Sequence, residues 1–296
     1  MPCSATIGFF DGVHKGHQYV INRLRTDARE HGLESTVITF RQHPRQVLSQ
    51  DFIPKLLTNA KKKEQLLQAT GVDNVVMMDF SKQLATLSAQ EFMRLLHEEY
   101  GVVRLLIGYD NRFGHNRAEG FEDYQRYGKQ MDIEVVLNDA LEDGETTVSS
   151  SVVRRLLQEG KVEEANHCLG YDYGFEGLVV RGQGEGRKLG FPTANMQLSD
   201  NQLVPKRGVY AVRVRIEGYT ESFLGMMNIG VRPTYGEFQE THEVNIFHFD
   251  ADIYDKTISV EFLRRLRDER KFSSLEELRS QLHLDKESII KQSHIK

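Results

Sequence analysis

Cysteine is scarce in this sequence, and long apolar runs are missing. The 296-residue chain has two cysteines, Cys3 and Cys168, which form no CxxC pair, whereas a secreted chain of this length often carries more. No apolar run approaches the ~20 residues of a membrane span, and the N-terminus lacks the basic and apolar regions of a signal peptide. These absences predict a cytoplasmic protein without a membrane segment, in which both cysteines are inert.

Positive charge is also limited. The formal net charge is -5 and no long basic run occurs, so the electrostatic footprint of a dedicated nucleic-acid binder is missing. The short basic clusters 61–63 and 264–265 are interpreted as solvated helix faces. We therefore expect small-molecule partners and no nucleic acid, while local phosphate binding and the oligomeric state stay open.

The first half of the chain alternates short apolar runs with helical patterns. A helix is predicted over 18–31, ending at Gly32, and strands are predicted over 4–10, 35–40, 74–78, 104–107 and 134–137. Apolar strands that alternate with helices are typical of an α/β fold with a doubly wound parallel sheet.

The pattern changes after about Gly170. Strands predicted over 177–180, 209–216, 222–229 and 243–249 are separated by glycine-rich turns, which favours a small antiparallel β-barrel. A terminal helix is predicted, with Ser273 and Glu276 as its capping box and an apolar stripe of Leu275, Leu278 and Leu282. We place the joint within 160–174, which gives domains 1–170 and 171–296.

The stretch GFFDGVHKGH, Gly8 to His17, lies between the first predicted strand and helix. Ligands of open α/β sheets bind at the carboxyl ends of the strands, and a helix N-terminus attracts anions. His14 and His17 are one helical turn apart and can face the same phosphate. The stretch therefore predicts a triphosphate site; a metal site is the weaker alternative because no third ligand is spaced to join the histidines.

This stretch resembles the HxGH signature of nucleotidyltransferases. Class I aminoacyl-tRNA synthetases share the signature type, but they usually add a KMSKS-like loop that is not legible here. The segment 149–154, SSSVVR, resembles the SSTxxR that closes the site in small nucleotidyltransferases. Its serines would cap a helix start while Arg154 meets phosphate.

A second glycine-rich segment, GQGEGRKLGFPTAN, occupies 182–195. It is not a dinucleotide fingerprint, since no following helix is predicted, and it lacks the GK[ST] of a P-loop. Arg187 and Lys188 beside the glycines predict a phosphate clamp. Thr193 and Asn195 alternate, so both face one side of an extended segment and offer the oxygen ligands that Mg²⁺ prefers.

Taken together, the motifs resemble those of the prokaryotic bifunctional riboflavin kinases/FMN adenylyltransferases, or FAD synthetases. The matches run in family order along nearly the whole chain. Besides the segments above, they are TFRQHP (39–44), GYDNRFG (108–114), GVYAV (208–212), NIGVRPTYG (228–236), VEFLRRLRDE (260–269) and KFSSLEEL (271–278). Two positions depart from the family pattern: Asn111 stands where Phe is common, and Asn245 stands where His is frequent.

The resemblance implies a Rossmann-like nucleotidyltransferase domain that converts FMN and ATP to FAD and pyrophosphate. It also implies a β-barrel kinase domain that phosphorylates riboflavin with Mg-ATP. The implied catalytic residues are His14, His17, Arg154 and, as the base of the kinase, Glu261.

Binding roles follow from the same resemblance. Flavin contacts are implied for His43, Pro44, Asn111, Arg112, Phe113 and Arg267, and Mg²⁺ contacts for Thr193 and Asn195. ATP contacts are implied for Gly8, Phe9, Phe10, Asp11, Gly16, Ser150, Ser151, Gly182, Arg187, Lys188, Gly190, Thr193 and Asn195. The alternatives are a monofunctional enzyme with one decayed site and a non-catalytic flavin or nucleotide sensor.

Overall fold

The computed structural model describes residues 1–49, 53–108, 112–115, 119–138, 148–199, 201–234 and 237–293. These residues form two compact units, Met1–Ser150 and Ser151–Lys296. Within the described ranges, no helix is long and apolar enough to cross a membrane.

The first unit is an α/β layer structure. Its strands are β1 (Cys3–Ile7), β2 (Glu34–Phe40), β3 (Asn74–Met78), β4 (Val102–Gly108) and β5 (Glu134–Asn138). Its helices are α1 (Lys15–Glu30), α2 (Pro44–Leu48), α3 (Ala60–Ala69), α4 (Lys82–Thr86), α5 (Ala89–Tyr100) and α6 (Phe121–Lys129). Helix α7 (Ser150–Glu159) begins at its last residue.

The strands of the first unit pair in the order β3-β2-β1-β4-β5, and every pair is parallel. Ile21 of α1 and Leu67 of α3 are buried against one face of the sheet, whereas Met93 of α5 and Tyr124 of α6 are buried against the other. The predicted doubly wound parallel sheet is confirmed.

Two boundaries near the glycine-rich stretch differ from the predicted ones. Strand β1 ends at Ile7 rather than Phe10, because the backbone turns into the left-handed region at Phe10 (φ 52) and Gly12 (φ 78). Helix α1 begins at Lys15 rather than Gln18, since His14 caps it. The turn that follows β1 is therefore tight, and the histidines stand at the helix start.

The second unit contains the predicted barrel. Strands β6 (Gly174–Val180), β7 (Ala194–Gln197), β8 (Gly208–Ile216), β9 (Ser222–Thr234), β10 (Glu237–Ile246) and β11 (Thr257–Arg267) close in the order β10-β7-β6-β11-β8-β9. Helices α8 (Val162–Leu169), α9 (Glu185–Lys188) and α10 (Leu275–Ser293) accompany them. Strand β10 starts earlier and ends earlier than the predicted 243–249.

Alternation along β8 decides which side chains enter the barrel. Val212, Val214 and Ile216 are at most 2% exposed, while Arg213 and Arg215 between them are not buried. Part of the outer face of the barrel is shielded from solvent, because Phe247 and Met226 pack there with Ile289 of α10. This outer face beneath α10 positions one of the sites described below.

The start of α10 differs from its predicted capping box. Ser274 Oγ accepts a hydrogen bond from Glu277 N (3.1 Å), and the Glu277 carboxylate accepts one from Ser273 N (2.9 Å). The predicted pair of Ser273 and Glu276 is therefore wrong by one residue. Leu275 is 66% exposed and lies outside the apolar stripe.

Helices α7 and α8 belong by contact to the second unit. Leu157 O accepts a hydrogen bond from Lys206 N (2.9 Å), and Asn166 donates to Phe262 O (2.8 Å) and accepts from Tyr173 N (2.8 Å). The predicted boundary between residues 170 and 171 separates the two expected activities, and it stays a prediction. For folding, the structure favours an earlier cut.

We therefore expect the fragment 151–296 to unfold cooperatively at a higher temperature than the fragment 171–296. The shorter fragment loses α7 and α8, and α8 supplies the fully buried Val162, Ala165 and Leu169. A loss of even 1 kcal/mol lowers the midpoint by roughly 3 °C. Calorimetry of both fragments checks this result. Equal midpoints would show that the two helices add nothing to the barrel.

Candidate active sites

The loop after β1 is held from behind by the segment that precedes α3. Asp11 is 3% exposed, and its carboxylate accepts hydrogen bonds from Leu57 N and Thr58 N, both at 3.1 Å. Gly12 N in turn donates to Thr58 Oγ (3.2 Å). The carboxylate of Asp11 thus fixes the loop, and the contact of Asp11 with ATP stays a prediction.

Other predicted ATP contacts in this loop also have structural tasks. Phe10 is 6% exposed and packs in the core beside α1. A side chain at Gly8 would meet the Phe10 ring at 2.9 Å, and one at Gly16 would meet Val148 O at 3.1 Å. At Gly8 and Gly16, backbone groups are what the loop can offer to a ligand.

The two histidines form a stacked pair at the N-terminus of α1. Their ring centroids are 3.6 Å apart with an interplanar angle of 21°. His14 Nδ1 accepts a hydrogen bond from His17 N (3.3 Å), so the proton of a neutral His14 ring is on Nε2. His17 Nδ1 is buried and has no hydrogen-bond partner within the described ranges. An anion placed here would meet helix N–H groups and two imidazoles together.

The surroundings keep His17 uncharged. Burial, then the charges of His14 and Lys63, hold the pKa of His17 well below its usual value. Because the two rings stack, a charge on His14 opposes a charge on His17. A phosphate would reverse this balance by favouring the charged form.

Lys63 is the lysine whose charge contributes to the lowered pKa of His17. Its environment contradicts the prediction that it is solvated. The cluster 61–63 is predicted to be solvated, but Lys63 is 1% exposed. Its Nζ donates to Phe9 O (3.1 Å) and Phe40 O (2.6 Å), which joins the ends of β1 and β2. Burial lowers the pKa of Lys63 to about 8. One signal was present in the sequence: Leu67, which is also buried, follows one helical turn later.

Replacement of Lys63 should change how stability depends on pH. The folded-state pKa of about 8 lies below the ordinary 10.5, so between these values the unfolded chain binds more protons and stability rises with pH. Relative to Lys63→Met, the wild type should gain up to about 3 kcal/mol between pH 8 and 10.5.

Urea unfolding at several pH values measures this difference. Lys61→Met is the matched control, because Lys61 is exposed on the same helix. A wild type and Lys63→Met variant with parallel pH profiles would show that Lys63 titrates as an ordinary surface lysine.

The predicted closing segment reaches the same loop. Ser150 Oγ donates to Asp11 O (2.9 Å), which ties the start of α7 to the glycine-rich stretch. Ser151 and Arg154 follow on α7, in the second unit. Arg154 stands one helical turn after Ser150.

Beside the carboxyl ends of β1 and β2 the first unit has a cavity of about 420 Å³. His43, Pro44, Arg112 and Phe113, the predicted flavin contacts, all line it, and so does Phe9. Phe113 stacks on Tyr124 at 4.1 Å, which fixes one wall. The fifth flavin contact predicted in this unit, Asn111, lies outside the described residues. Apolar and aromatic walls with a few cationic groups suit a planar ring system that carries a phosphate.

The glycine-rich segment of the second unit lies between the antiparallel strands β6 and β7. It contains the single helical turn of α9, so the prediction that no helix follows its glycines is wrong, although no parallel βαβ unit is present. A side chain at Gly182 would overlap the Asn195 amide, and one at Gly186 would meet Thr193 Oγ at 3.3 Å. Thr193 and Asn195 therefore both face this segment, as their alternation predicts.

The remaining predicted ATP contacts of this segment are solvent-facing. Arg187, Lys188 and Gly190 are exposed, and Gly190 adopts a φ of 79 that favours glycine. Arg187 and Lys188 are thus on the solvent side of the segment, where a phosphate can reach them.

A cavity of about 320 Å³ lies between this segment, the barrel wall and α10. Thr193, Asn228, Glu243 and Arg267 line it together with Phe191 and Leu282. Strand register explains why these residues lie together, because they form one row across five neighbouring strands. In order across the strands, the directly opposed residues of this row are Asn195, Glu243, Asn228, Val209 and Arg267. Directly opposed residues share a face of the sheet, so this row of side chains points to the outer face under α10.

Arg267 is held in this wall by α10. Its guanidinium donates to Asp285 Oδ2 (2.9 Å), and Asp285 is 5% exposed. The structure thus brings Arg267, the weakest of the predicted flavin contacts, to the same cavity as Thr193.

Glu261, the predicted base, does not lie in this cavity. Glu261 opposes Gly174, at one end of β6, whereas Asn195 opposes Val180, at the other end. At about 3.3 Å per residue the two side chains are about 20 Å apart along the strand. The structure does not bring Glu261 and Asn195 together.

The environment of Glu261 is also unsuited to proton removal. Its carboxylate accepts hydrogen bonds from Arg213 (3.0 Å) and from Arg215. Burial raises the pKa of Glu261, but the hydrogen bonds to both arginines outweigh it and the pKa is lowered. A carboxylate with a lowered pKa is a weaker base.

Glu243 is the carboxylate that sequence reasoning missed. It lies directly opposite Asn195, and it shares the cavity with Thr193 and Arg267. Its place in the alternating segment 243–246 was legible, but the strand that pairs with it was not. A register between residues 48 positions apart cannot be deduced from periodicity.

Comparison with known proteins gives two family matches. Residues 1–152 match the family model described as FAD synthetase, and residues 169–292 match the one described as riboflavin kinase.

Curated bacterial relatives span nearly the whole chain. Proteins named bifunctional riboflavin kinase/FMN adenylyltransferase are 36% identical in Bacillus subtilis, 39% in Pseudomonas fluorescens and 35% in Escherichia coli K12. Each alignment covers 96% of this chain and 90% of the relative.

A crystal structure described as a macrolide-efflux protein from Streptococcus pneumoniae is also similar. It has a TM-score of 0.86 and 35% identity, and the match covers 97% of this chain and 93% of that one. Its description names another activity than those of the curated relatives.

Proposed function

Because this chain belongs to the family of bifunctional riboflavin kinases/FMN adenylyltransferases, we propose that it makes FAD from riboflavin in two ATP-dependent steps. The second unit phosphorylates riboflavin to FMN. The first unit transfers AMP from ATP to FMN and releases pyrophosphate. The observation that carries this proposal is that each unit has its own cavity beside its own glycine-rich segment.

In the first unit the nucleophile is a phosphate of FMN, which needs no base. A bond forms between its oxygen and the α-phosphorus of ATP, and the bond from that phosphorus to the bridging oxygen of pyrophosphate breaks. His14 and His17 stabilise the charge on the transferred group, and the bound triphosphate favours the protonated form of His17. Arg154 neutralises the leaving pyrophosphate.

The cavity of about 420 Å³ is the flavin site of this step. The isoalloxazine ring lies against Phe9 and Phe113, while His43 and Arg112 meet its polar groups and phosphate. Lys63 fixes the carbonyls at the ends of β1 and β2 behind this wall. ATP lies at the N-terminus of α1 next to it.

In the second unit the nucleophile is an alcohol, so a proton acceptor is required. Glu243 fits this role better than Glu261, because it lies in the cavity opposite Asn195, and Glu261 is engaged by two arginines. The riboflavin hydroxyl gives its proton to Glu243, its oxygen bonds to the γ-phosphorus of ATP, and ADP leaves. The role of Glu261 as the base stays a hypothesis, which a comparison of the Glu243→Gln and Glu261→Gln variants tests.

Mg²⁺ is the cofactor that fits the second unit. Thr193 and Asn195 present oxygen donors to a segment where a side chain at Gly182 or Gly186 would fill the space, and Mg²⁺ favours few protein oxygens combined with phosphates. When bound with ATP, the ion neutralises charge on the phosphates. Thr193 and Asn195 would hold it, and Arg187 and Lys188 would approach the phosphates from the exposed side.

A non-catalytic flavin or nucleotide sensor is the alternative from another class, and a monofunctional enzyme is the second. Incubation with ATP and Mg²⁺ separates the three readings when riboflavin and FMN are supplied in separate reactions and products are resolved by chromatography. Riboflavin should give FMN with ADP, and FMN should give FAD with pyrophosphate. One product alone supports a decayed site, and binding without turnover supports a sensor.

A further inference from the structure

Asn245 is a buried residue whose hydrogen bond has no part in the two transfer steps. Its side chain is 6% exposed, and Nδ2 donates to Pro192 O at 2.6 Å. The residue lines the cavity of the second unit among Phe191 and Met226, which are each 5% exposed. Burial of an amide among apolar side chains costs free energy unless the amide is hydrogen-bonded.

The accepting carbonyl stands directly before Thr193 in the chain. On the other side of Thr193, Ala194 opposes Val244 and Asn195 opposes Glu243 in the ladder of β7 and β10. Upstream, Phe191 N donates to Gly186 O (2.9 Å). Thr193 is therefore the single residue between the Asn245 hydrogen bond and the first paired residue of β7.

Strand β10 thus holds the segment from both ends. Asn245 and Glu243 are two residues apart on β10, and they fix Pro192 and Asn195 respectively. A shift of the Pro192 carbonyl would move the Thr193 hydroxyl against its neighbours Gly186 and Asn195. Positioning errors of about 1 Å are enough to cost roughly 10²-fold in a phosphoryl-transfer site.

We propose that Asn245 is a positioning residue for ATP, which acts by fixing the Pro192 carbonyl and hence the Thr193 hydroxyl. This inference rests on the proposed kinase function of the second unit. In this role Asn245 acts through Pro192 and Thr193 and needs no contact with the reacting hydroxyl or the transferred phosphoryl group. The His that is frequent at this position in the family also carries a ring N–H, so the departure keeps a donor.

Two substitutions separate this role from simple packing. Asn245→Asp keeps the shape but places an acceptor against the Pro192 carbonyl, so KM for ATP in the kinase step should rise roughly tenfold or more, with KM for riboflavin nearly unchanged. Asn245→His restores a donor and should keep KM for ATP within a few-fold of wild type. FAD formation from supplied FMN, in the other unit, is the internal control.

Calorimetric titration of the full chain with ADP reads the same site without turnover. One class of ADP site should weaken in Asn245→Asp and not in Asn245→His. Unchanged ADP and ATP affinities in Asn245→Asp would overturn the proposal, as would equal losses for ATP and riboflavin. If Asn245→Asp does not fold, a loss of ATP affinity in folded Asn245→His overturns it. A wild type that binds ADP but makes no FMN contradicts the proposed function instead.

Discussion

FAD formation should fall by roughly 10²-fold or more in the His17→Ala variant, while FMN formation persists. His17 stacks on His14 at 3.6 Å at the start of α1, where a phosphate would meet both rings. Loss of one donor aimed at developing charge costs about this much in other enzymes. The kinase should be spared, because its cavity is built from the second unit alone.

Chromatography of both reactions with one purified variant gives the result. His31→Ala is the matched control, since His31 caps the other end of the same helix and is exposed. It should leave both activities near wild type. Equal loss of FMN and FAD formation in a folded His17→Ala variant would refute the assignment of separate sites.

Riboflavin phosphorylation should fall by roughly 10²-fold or more in Glu243→Gln. The amide keeps the shape of the side chain but cannot accept the proton of the riboflavin hydroxyl. Conversion of supplied FMN to FAD should stay near normal, because His14, His17 and Arg154 are unchanged.

Glu261→Gln is the matched variant that decides between the two carboxylates. It should keep kinase activity within a few-fold of wild type, since Glu261 lies about 20 Å along β6 from Asn195 and is paired with Arg213 and Arg215. The opposite pattern, with loss in Glu261→Gln and none in Glu243→Gln, would restore the base to Glu261.

Much of the fold could be predicted because it depends on local patterns. The strand over 74–78 was predicted to the residue, and the alternation of Val212, Val214 and Ile216 gave the inner face of the barrel. The phosphate segments were legible since glycines, histidines and serines fall within a few positions of one another.

The missing parts depend on contacts between distant residues. Asp11 accepts hydrogen bonds from Leu57 and Thr58, and Asn195 lies opposite Glu243. Neither pair is related by the repeat of a helix or a strand, so periodicity in the sequence does not reveal it. Lys63 was interpreted as solvated because a run of lysines hides which member faces inward. Glu261 was assigned from its motif, and the register of β11 with β6 was needed to show its distance from Asn195.

If this chain holds two independent active sites, the two impaired variants should complement each other when they are mixed. His17→Ala should make FMN from riboflavin and ATP with Mg²⁺, and Glu243→Gln should convert that FMN to FAD, although neither variant alone forms appreciable FAD from riboflavin. The mixture should make FAD at a rate well above the sum of the rates of the two separate variants, as two independent sites require. A mixture that accumulates FMN without FAD, or that makes neither, would contradict the presence of two independent sites.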